Sequence, residues 1–217
     1  MALSKETIQN LRQEYKAATL SEKSVAKDPF SQFSKWFTEA MDGGIFEPNA
    51  MILATASPDG KPSLRTMLLK GFDNKGFIFY TNYLSRKGKE IARNPNASIL
   101  FFWPELERQI RIEGVLEKVS KEESEHYFRS RPIPSQLGAI VSQQSQEIQS
   151  KELLVDKLAY LQQQYEGKEV PKPSYWGGYI LKPQVVEFWQ GGPARLHDRI
   201  VYKKADKNNW KIVRLAP

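Results

Sequence analysis

The sequence contains no cysteine and only two histidines, His126 and His197, which lie far apart. The first absence excludes disulfides, thiolate zinc, iron–sulfur ligation and a cysteine nucleophile. The second leaves too few ligands for a histidine-rich metal site, and the carboxylates show no metal-binding spacing, so no metal is expected. Neither Gly-x-Gly-x-x-Gly after a strand nor Gly-x-x-x-x-Gly-Lys-Ser/Thr occurs, so the usual dinucleotide and nucleoside-triphosphate loops are missing and any phosphate must be held differently. The longest purely apolar run, "ILFFW" at Ile99 to Trp103, is far short of a membrane span, and the N-terminal "MALSKETIQNLRQEYK" has no apolar stretch of signal-peptide type. A soluble, cytoplasmic protein with no membrane partner is expected.

What is present is 217 residues with a formal charge of +7 and a pI near 9.4, a balance compatible with nucleic acid, an acidic membrane surface or phosphorylated small molecules. "DPFSQFSKWFTEAMDGG" predicts an amphipathic helix: Asp28 caps it, Pro29 opens it, Phe30, Phe33, Trp36, Phe37, Ala40 and Met41 form its stripe, and Gly43 and Gly44 end it. The following stretch to "FYTN" reads as three antiparallel strands separated by Pro-Asp-Gly-Lys and Asp-Asn-Lys-Gly turns. A short capped helix over Ser85 to Pro95, strands at "ASILFFW" and "RQIRIEGVLEKV", helices at "KEESEHYFRS" and "SKELLVDKLAYLQQQYEG", and a strand-rich tail complete the pattern. Strands grouped in hairpins, with helices between the groups, predict an α+β fold: mixed β with peripheral helices, not a doubly wound parallel sheet. A single domain over 21–217 is expected, preceded by a mobile segment over 1–20.

Four stretches carry candidate chemistry. In "SRKGK", Ser85 caps a helix whose first turn holds Arg86 and Lys87, where the helix dipole disfavours cations by roughly 0.3–1 kcal/mol each. Either an anion sits there or the charges point into solvent. "LRTMLLK" places Arg65 and Lys70 on one strand, on opposite faces if it is regular. "HYFRSRPIPSQLG" gathers Tyr127, Arg129, Arg131 and Ser135 at a helix-to-loop junction closed by Pro132 and Pro134, a group suited to phosphate or simply a capped surface turn. In "EFWQGGPARLHDRIVY", Trp189 can stack on a planar ring, Gly191 and Gly192 allow close backbone approach, and Arg195, His197 and Arg199 alternate onto one strand face. Asp198 is assigned no role.

These stretches, with "ERQIRIEG", "VSQQS" and "PSYWGGY", resemble in order and over nearly the whole chain the pyridoxine/pyridoxamine 5′-phosphate oxidase family. The resemblance implies an antiparallel, FMN-binding split β-barrel acting as a homodimer with FMN at the subunit interface. It implies FMN contacts at Arg65, Thr66, Met67, Leu68, Leu69, Lys70, Tyr80, Thr81, Arg86, Lys87, Gln109, Gln144, Ser145, Trp189 and Arg199. It assigns the substrate phosphate to Lys70, Tyr127, Arg131 and Ser135, and the substrate ring to Arg195 and His197 as catalytic residues. Arg12 and Tyr15 match a segment that covers bound substrate. The reaction so implied oxidises pyridoxine or pyridoxamine 5′-phosphate to pyridoxal 5′-phosphate, by hydride transfer from the 4′ carbon to flavin N5, with O2 reduced to H2O2; His197 has the more suitable pKa for a proton acceptor. "GGPA" before Arg195 and the residues after the Gln-Ser core of "SQQSQEI" depart from the family pattern. The alternatives are a split-barrel flavin reductase, a flavin binder without turnover, and a basic nucleic-acid-binding module, which the dispersal of the cations disfavours.

Overall fold

The computed structural model describes residues 5–11, 14–206 and 209–217. Six helices occur among them: α1 (Lys5–Gln9), α2 (Pro29–Asp42), α3 (Arg86–Arg93), α4 (Lys121–Ser130), α5 (Ile133–Val141) and α6 (Glu152–Gln164). The strands are β1 (Ala50–Ala56), β2 (Pro62–Leu68), β3 (Gly71–Asp73), β4 (Gly76–Asn82), β5 (Asn96–Trp103), β6 (Arg108–Lys118), β7 (Trp176–Gln190), β8 (Asp198–Lys204) and β9 (Trp210–Arg214). Hydrogen bonding links them in the order β2-β1-β5-β6-β7-β4-β3, with β8 paired to β7 and β9 to β8. The β1–β2, β3–β4, β4–β7, β7–β8 and β8–β9 pairings are all antiparallel, as the hairpin pattern of the sequence predicts.

The chain divides into two compact units. The first takes the described residues up to Pro48, with Leu100–Ile112 and Gln184–Pro217. Its α2 forms for the expected reasons: the Asp28 carboxylate accepts hydrogen bonds from the Phe30 and Ser31 amides, Pro29 pre-sets the first turn, and the helix closes at Gly43. The buried stripe is Phe33, Trp36 and Ala40 joined by Gln32, whose Oε1 accepts from the Ala26 amide; Met41, expected on that stripe, is exposed because it falls on the solvent side. Phe33 packs edge-on against Phe101, Trp36 against Phe188, and Phe188 against Tyr202.

The second unit takes Asn49–Ile99 and Glu113–Pro183. Alternation on its strands buries Met51 and Leu53 on β1 and Phe77 and Phe79 on β4, while α4, α5 and α6 close a cluster of Phe128, Leu137, Val141 and Leu161 around Trp176. Two elements differ from the sequence reading. The stretch expected to hold three strands holds four, since β3 is a short extra strand before the Asp73–Gly76 turn. The loop expected after Pro132 is helix α5, because both prolines fall where a helix begins and needs no N–H donor.

Candidate active site

In the second unit, Ser85 caps α3: its Oγ accepts from the Gly88 amide and donates to the Asn82 carbonyl. Gly88 is required there, since a Cβ would lie 2.2 Å from the Tyr83 carbonyl oxygen. The two first-turn cations part company. Lys87 is buried, and its Nζ donates to Gln144 Oε1 at 2.9 Å, Thr81 Oγ1 at 3.2 Å and Ser85 Oγ. Burial, with the nearby Arg65 charge, brings its pKa down to about 8. Arg86 stays largely exposed and donates through Nε to Glu90 Oε1 one turn on.

Arg65 lies on β2 beneath this helix start. Its Nη1 donates to the Leu53 carbonyl and Thr55 Oγ1, and its Nη2 to Ser63 Oγ and Glu90 Oε2. Lys70 does not share that strand: β2 ends at Leu68, so the expected opposite-face arrangement is replaced by an exposed lysine whose amide bonds to Ile78 O. Thr66 is exposed, and Leu69 is a core residue held by Asn49.

A cavity of about 490 Å³ opens beside these groups, its wall including Met67, Leu68, Lys70, Tyr80, Thr81 and Gln144 together with Tyr127, Arg131 and Ser135. Residues expected from separate stretches of sequence are thus brought together. Tyr80 stacks on Tyr127 with ring centroids 3.8 Å apart, Tyr127 is parallel to Trp176, and the Arg131 guanidinium lies 4.7 Å over the Trp176 ring. Burial pushes the Tyr80 phenol up to about 12 and also raises Tyr127, so both rings stay protonated donors. Arg131 Nη1 is buried with no hydrogen-bond partner among the described residues. An orphaned guanidinium N–H is costly to keep dry, and it fits an anionic ligand that would accept from it. Arg129, by contrast, pairs with Glu125 and Glu169 on the surface. Gln144 also borders a second cavity of about 380 Å³, lined by Arg86, Ser145, Lys89 and Glu90; Ser145 takes a left-handed backbone there.

In the first unit, a cavity of about 630 Å³ is lined by Tyr15, Trp189, Gly192, Arg195 and His197. Trp189 and His197 rings lie 4.7 Å apart, and Tyr15 meets both edge-on. Arg195 and His197 do not stand on a strand face with Arg199, as expected. Pro193–Arg195 form a 3-10 turn, Ala194 and Arg195 have positive φ, and β8 starts only at Asp198. His197 Nδ1 accepts the Gly192 N–H at 3.2 Å, so the neutral ring carries its hydrogen on Nε2. Arg199 grips the buried Glu187 through Nε and Nη2 and the Ala216 carbonyl through Nη1. Asp198 ties the chain ends together, because its carboxylate accepts from the Leu20 amide and from Arg214. Gln109 is half-buried on β6 outside the cavity wall, and Arg12 lies outside the described residues.

Residues 37–165 match the pyridoxamine 5′-phosphate oxidase family, and residues 176–217 match the pyridoxine 5′-phosphate oxidase C-terminal dimerisation region. The chain belongs to the pyridoxamine 5′-phosphate oxidase family. It is 53% identical over 207 residues to the pyridoxine/pyridoxamine 5′-phosphate oxidase of Rubrobacter xylanophilus, covering 95% of each chain. It is 53% identical to that of Nostoc punctiforme, covering 97% of this chain and 99% of the other. Among solved structures, PhzG of Burkholderia lata, in complex with tetrahydrophenazine-1-carboxylic acid, is 32% identical with a TM-score of 0.88, covering 94% of this chain and all of that one. A related FMN binding protein of Nostoc punctiforme, 18% identical, shares the fold with a TM-score of 0.69, covering 89% of this chain and all of that one. The fold is the antiparallel split barrel of this family, and the chain is an oxidoreductase.

Within the family frame, four residues that sequence reasoning missed support the expected ones. Glu90 joins Arg65 to Arg86, and Gln136 holds the Arg131 backbone by donating to its carbonyl. Trp176 underlies Arg131, and Glu187 anchors Arg199. Gln136, Trp176 and Glu187 lie within the quoted motifs without a role of their own, and the i,i+4 spacing of Glu90 from Arg86 shows one of its partners but not Thr55, Ser63 or Arg65.

Proposed function

We propose that the chain is an FMN-dependent oxidase that converts pyridoxine 5′-phosphate or pyridoxamine 5′-phosphate to pyridoxal 5′-phosphate. O2 is reduced to H2O2, and the amine substrate also takes up water and releases NH3. The observation that carries this reading is the dry, unpartnered Nη1 of Arg131 in a cavity shared with Lys70, Tyr127 and Ser135. These side chains offer two cations and two hydroxyls to one phosphate, charge-assisted bonds worth more than neutral ones.

FMN would be held at its phosphate by Arg65, Arg86 and Lys87 with Thr81, Gln144 and Ser145, and along its ring by Thr66, Met67, Leu68, Leu69, Lys70 and Tyr80. In the homodimer we place it at the subunit interface, where Gln109, Trp189 and Arg199 complete its contacts. When bound, FMN supplies the two-electron acceptor that no side chain of this sequence provides, and returns the electrons to O2. The chain itself positions the substrate: Arg131 and its neighbours fix the phosphate, and the Tyr127 and Trp176 faces exclude water. Arg195 orients the pyridine edge, and His197 donates from Nε2–H to the polar 4′ substituent, since Nδ1 is engaged by Gly192. Tyr15 covers the site.

Anaerobic addition of pyridoxine 5′-phosphate to the purified yellow protein should bleach the flavin absorbance, and air should restore it with stoichiometric pyridoxal 5′-phosphate and peroxide. Absent bleaching, or preferential oxidation of a reduced phenazine carboxylate, would overturn the reading.

A further inference from the structure

Glu90 sits on α3 inside the basic cluster and is 8% exposed. Its Oε2 accepts from Thr55 Oγ1, Ser63 Oγ and Arg65 Nη2, and its Oε1 from Arg86 Nε. A buried carboxylate among groups meant to receive an anion requires a reason, because its charge opposes the ligand's. We infer that Glu90 is a positioning residue for cofactor-phosphate recognition: it locks the Arg65 and Arg86 guanidinia in place and sets the charge of the cluster to complement a phosphate monoester. The inference rests on the proposed function, in which Arg65, Arg86 and Lys87 receive the phosphate of FMN.

The locking is visible bond by bond. Both Nη groups of Arg65 are committed, to Leu53 O, Thr55, Ser63 and Glu90, which leaves Nε–H without a partner among the described residues. Among the described residues Arg86 is tied only by Nε, so its two Nη groups are presented on the side away from Glu90. Two long side chains are thereby ordered before any ligand arrives, which removes part of the entropy cost of binding. Charge balance acts independently of the locking. Arg65, Arg86 and Lys87 carry three positive charges and Glu90 one negative, leaving two, against roughly −1.5 to −2 on a phosphate monoester at neutral pH. Although burial alone would raise its pKa, the bonds from Thr55, Ser63 and Arg86 and the Arg65 charge bring Glu90 down to about 2, so it is ionised throughout the physiological range.

Glu90→Gln keeps the size and one acceptor oxygen but turns an NH2 group toward Arg65 or Arg86. The deciding experiment is titration of full-length, flavin-stripped protein with FMN and with riboflavin, following flavin fluorescence, for wild type, Glu90→Gln and Ser63→Ala. Ser63 is included because its hydroxyl bridges Arg65 and Glu90 at 2.5 and 2.7 Å. Glu90→Gln should weaken FMN about tenfold and Ser63→Ala about threefold, with riboflavin affinity unchanged in both. An unchanged ratio of FMN to riboflavin affinity, or an equal loss of both, overturns the positioning role. If Glu90→Gln does not fold, the ratio for Ser63→Ala decides alone. A wild-type protein that binds FMN no better than riboflavin overturns the phosphate site itself, a failure of the proposed function that is separate from a failure of Glu90.

Discussion

At the scale of single residues, Arg131 combines a cost in the ligand-free protein with a proposed use in binding. Its Nη1 is buried and unpartnered among the described residues, and its guanidinium is kept in place by the Trp176 face. An unsatisfied buried donor costs about 1–3 kcal/mol, while the cation–π contact returns about 0.5–1 kcal/mol or more. Arg131→Met should therefore leave stability in the absence of substrate unchanged or raise it by about 1 kcal/mol in urea denaturation, while raising the substrate KM by two orders of magnitude or more. Lys87 gives a pH signature. Buried, it holds its proton less tightly than the ordinary 10.5, at about 8. The unfolded chain then binds more protons between these values, so folding stability should rise with pH from about 8 to 10.5, and Lys87→Met should flatten that rise in urea titrations at several pH values. FMN affinity should fall over the same rise as the cation is lost. The residue types of the site were legible in sequence because they sit in short motifs. Glu90 was not, since Thr55 and Ser63 meet it from 35 and 27 positions away, and Asp198 was not, since its partners Leu20 and Arg214 lie 178 and 16 positions away.

At the scale of elements, the start of α3 depends on one backbone approach. A side chain at position 88 would drive into Tyr83 O, so Gly88→Ala should destabilise the protein by about 1–3 kcal/mol and lower FMN retention, measured by thermal melting and flavin content after gel filtration. Ser85 was readable as a cap, and the α2 boundaries as Asp28 and Gly43, because local chemistry decides helix ends. Period-two alternation does not hold at Arg195 and His197, since Gly-Gly-Pro leads into a 3-10 turn with left-handed residues before β8 begins. Nor does it hold at Lys70, because β2 ends two residues earlier.

At the scale of the whole molecule, the antiparallel order and peripheral helices followed from hairpins in the sequence, whereas the division of the strands between two compact units did not, because it depends on packing between distant segments. Of the residues proposed to contact substrate, Arg131 belongs to one unit and Arg195 to the other. With the flavin proposed to lie at the subunit interface, a site completed by the second subunit makes a sharp prediction. Arg131→Met and Arg195→Met proteins, assayed at a substrate concentration far below the raised KM, where each alone is nearly silent, should recover about a quarter of wild-type activity when unfolded and refolded together, since half the dimers then carry one intact site of two. Recovery near zero would place all substrate contacts within one chain.

The parallel Tyr80, Tyr127 and Trp176 rings under Arg131 also give the protein an optical handle. An indole in contact with a cation and a phenol emits according to their placement, so any ligand that draws Arg131 away from its ring alters the emission of Trp176. Occupancy of the phosphate pocket is thereby written into the intrinsic fluorescence of the chain, in a signal that needs neither turnover nor a coloured cofactor.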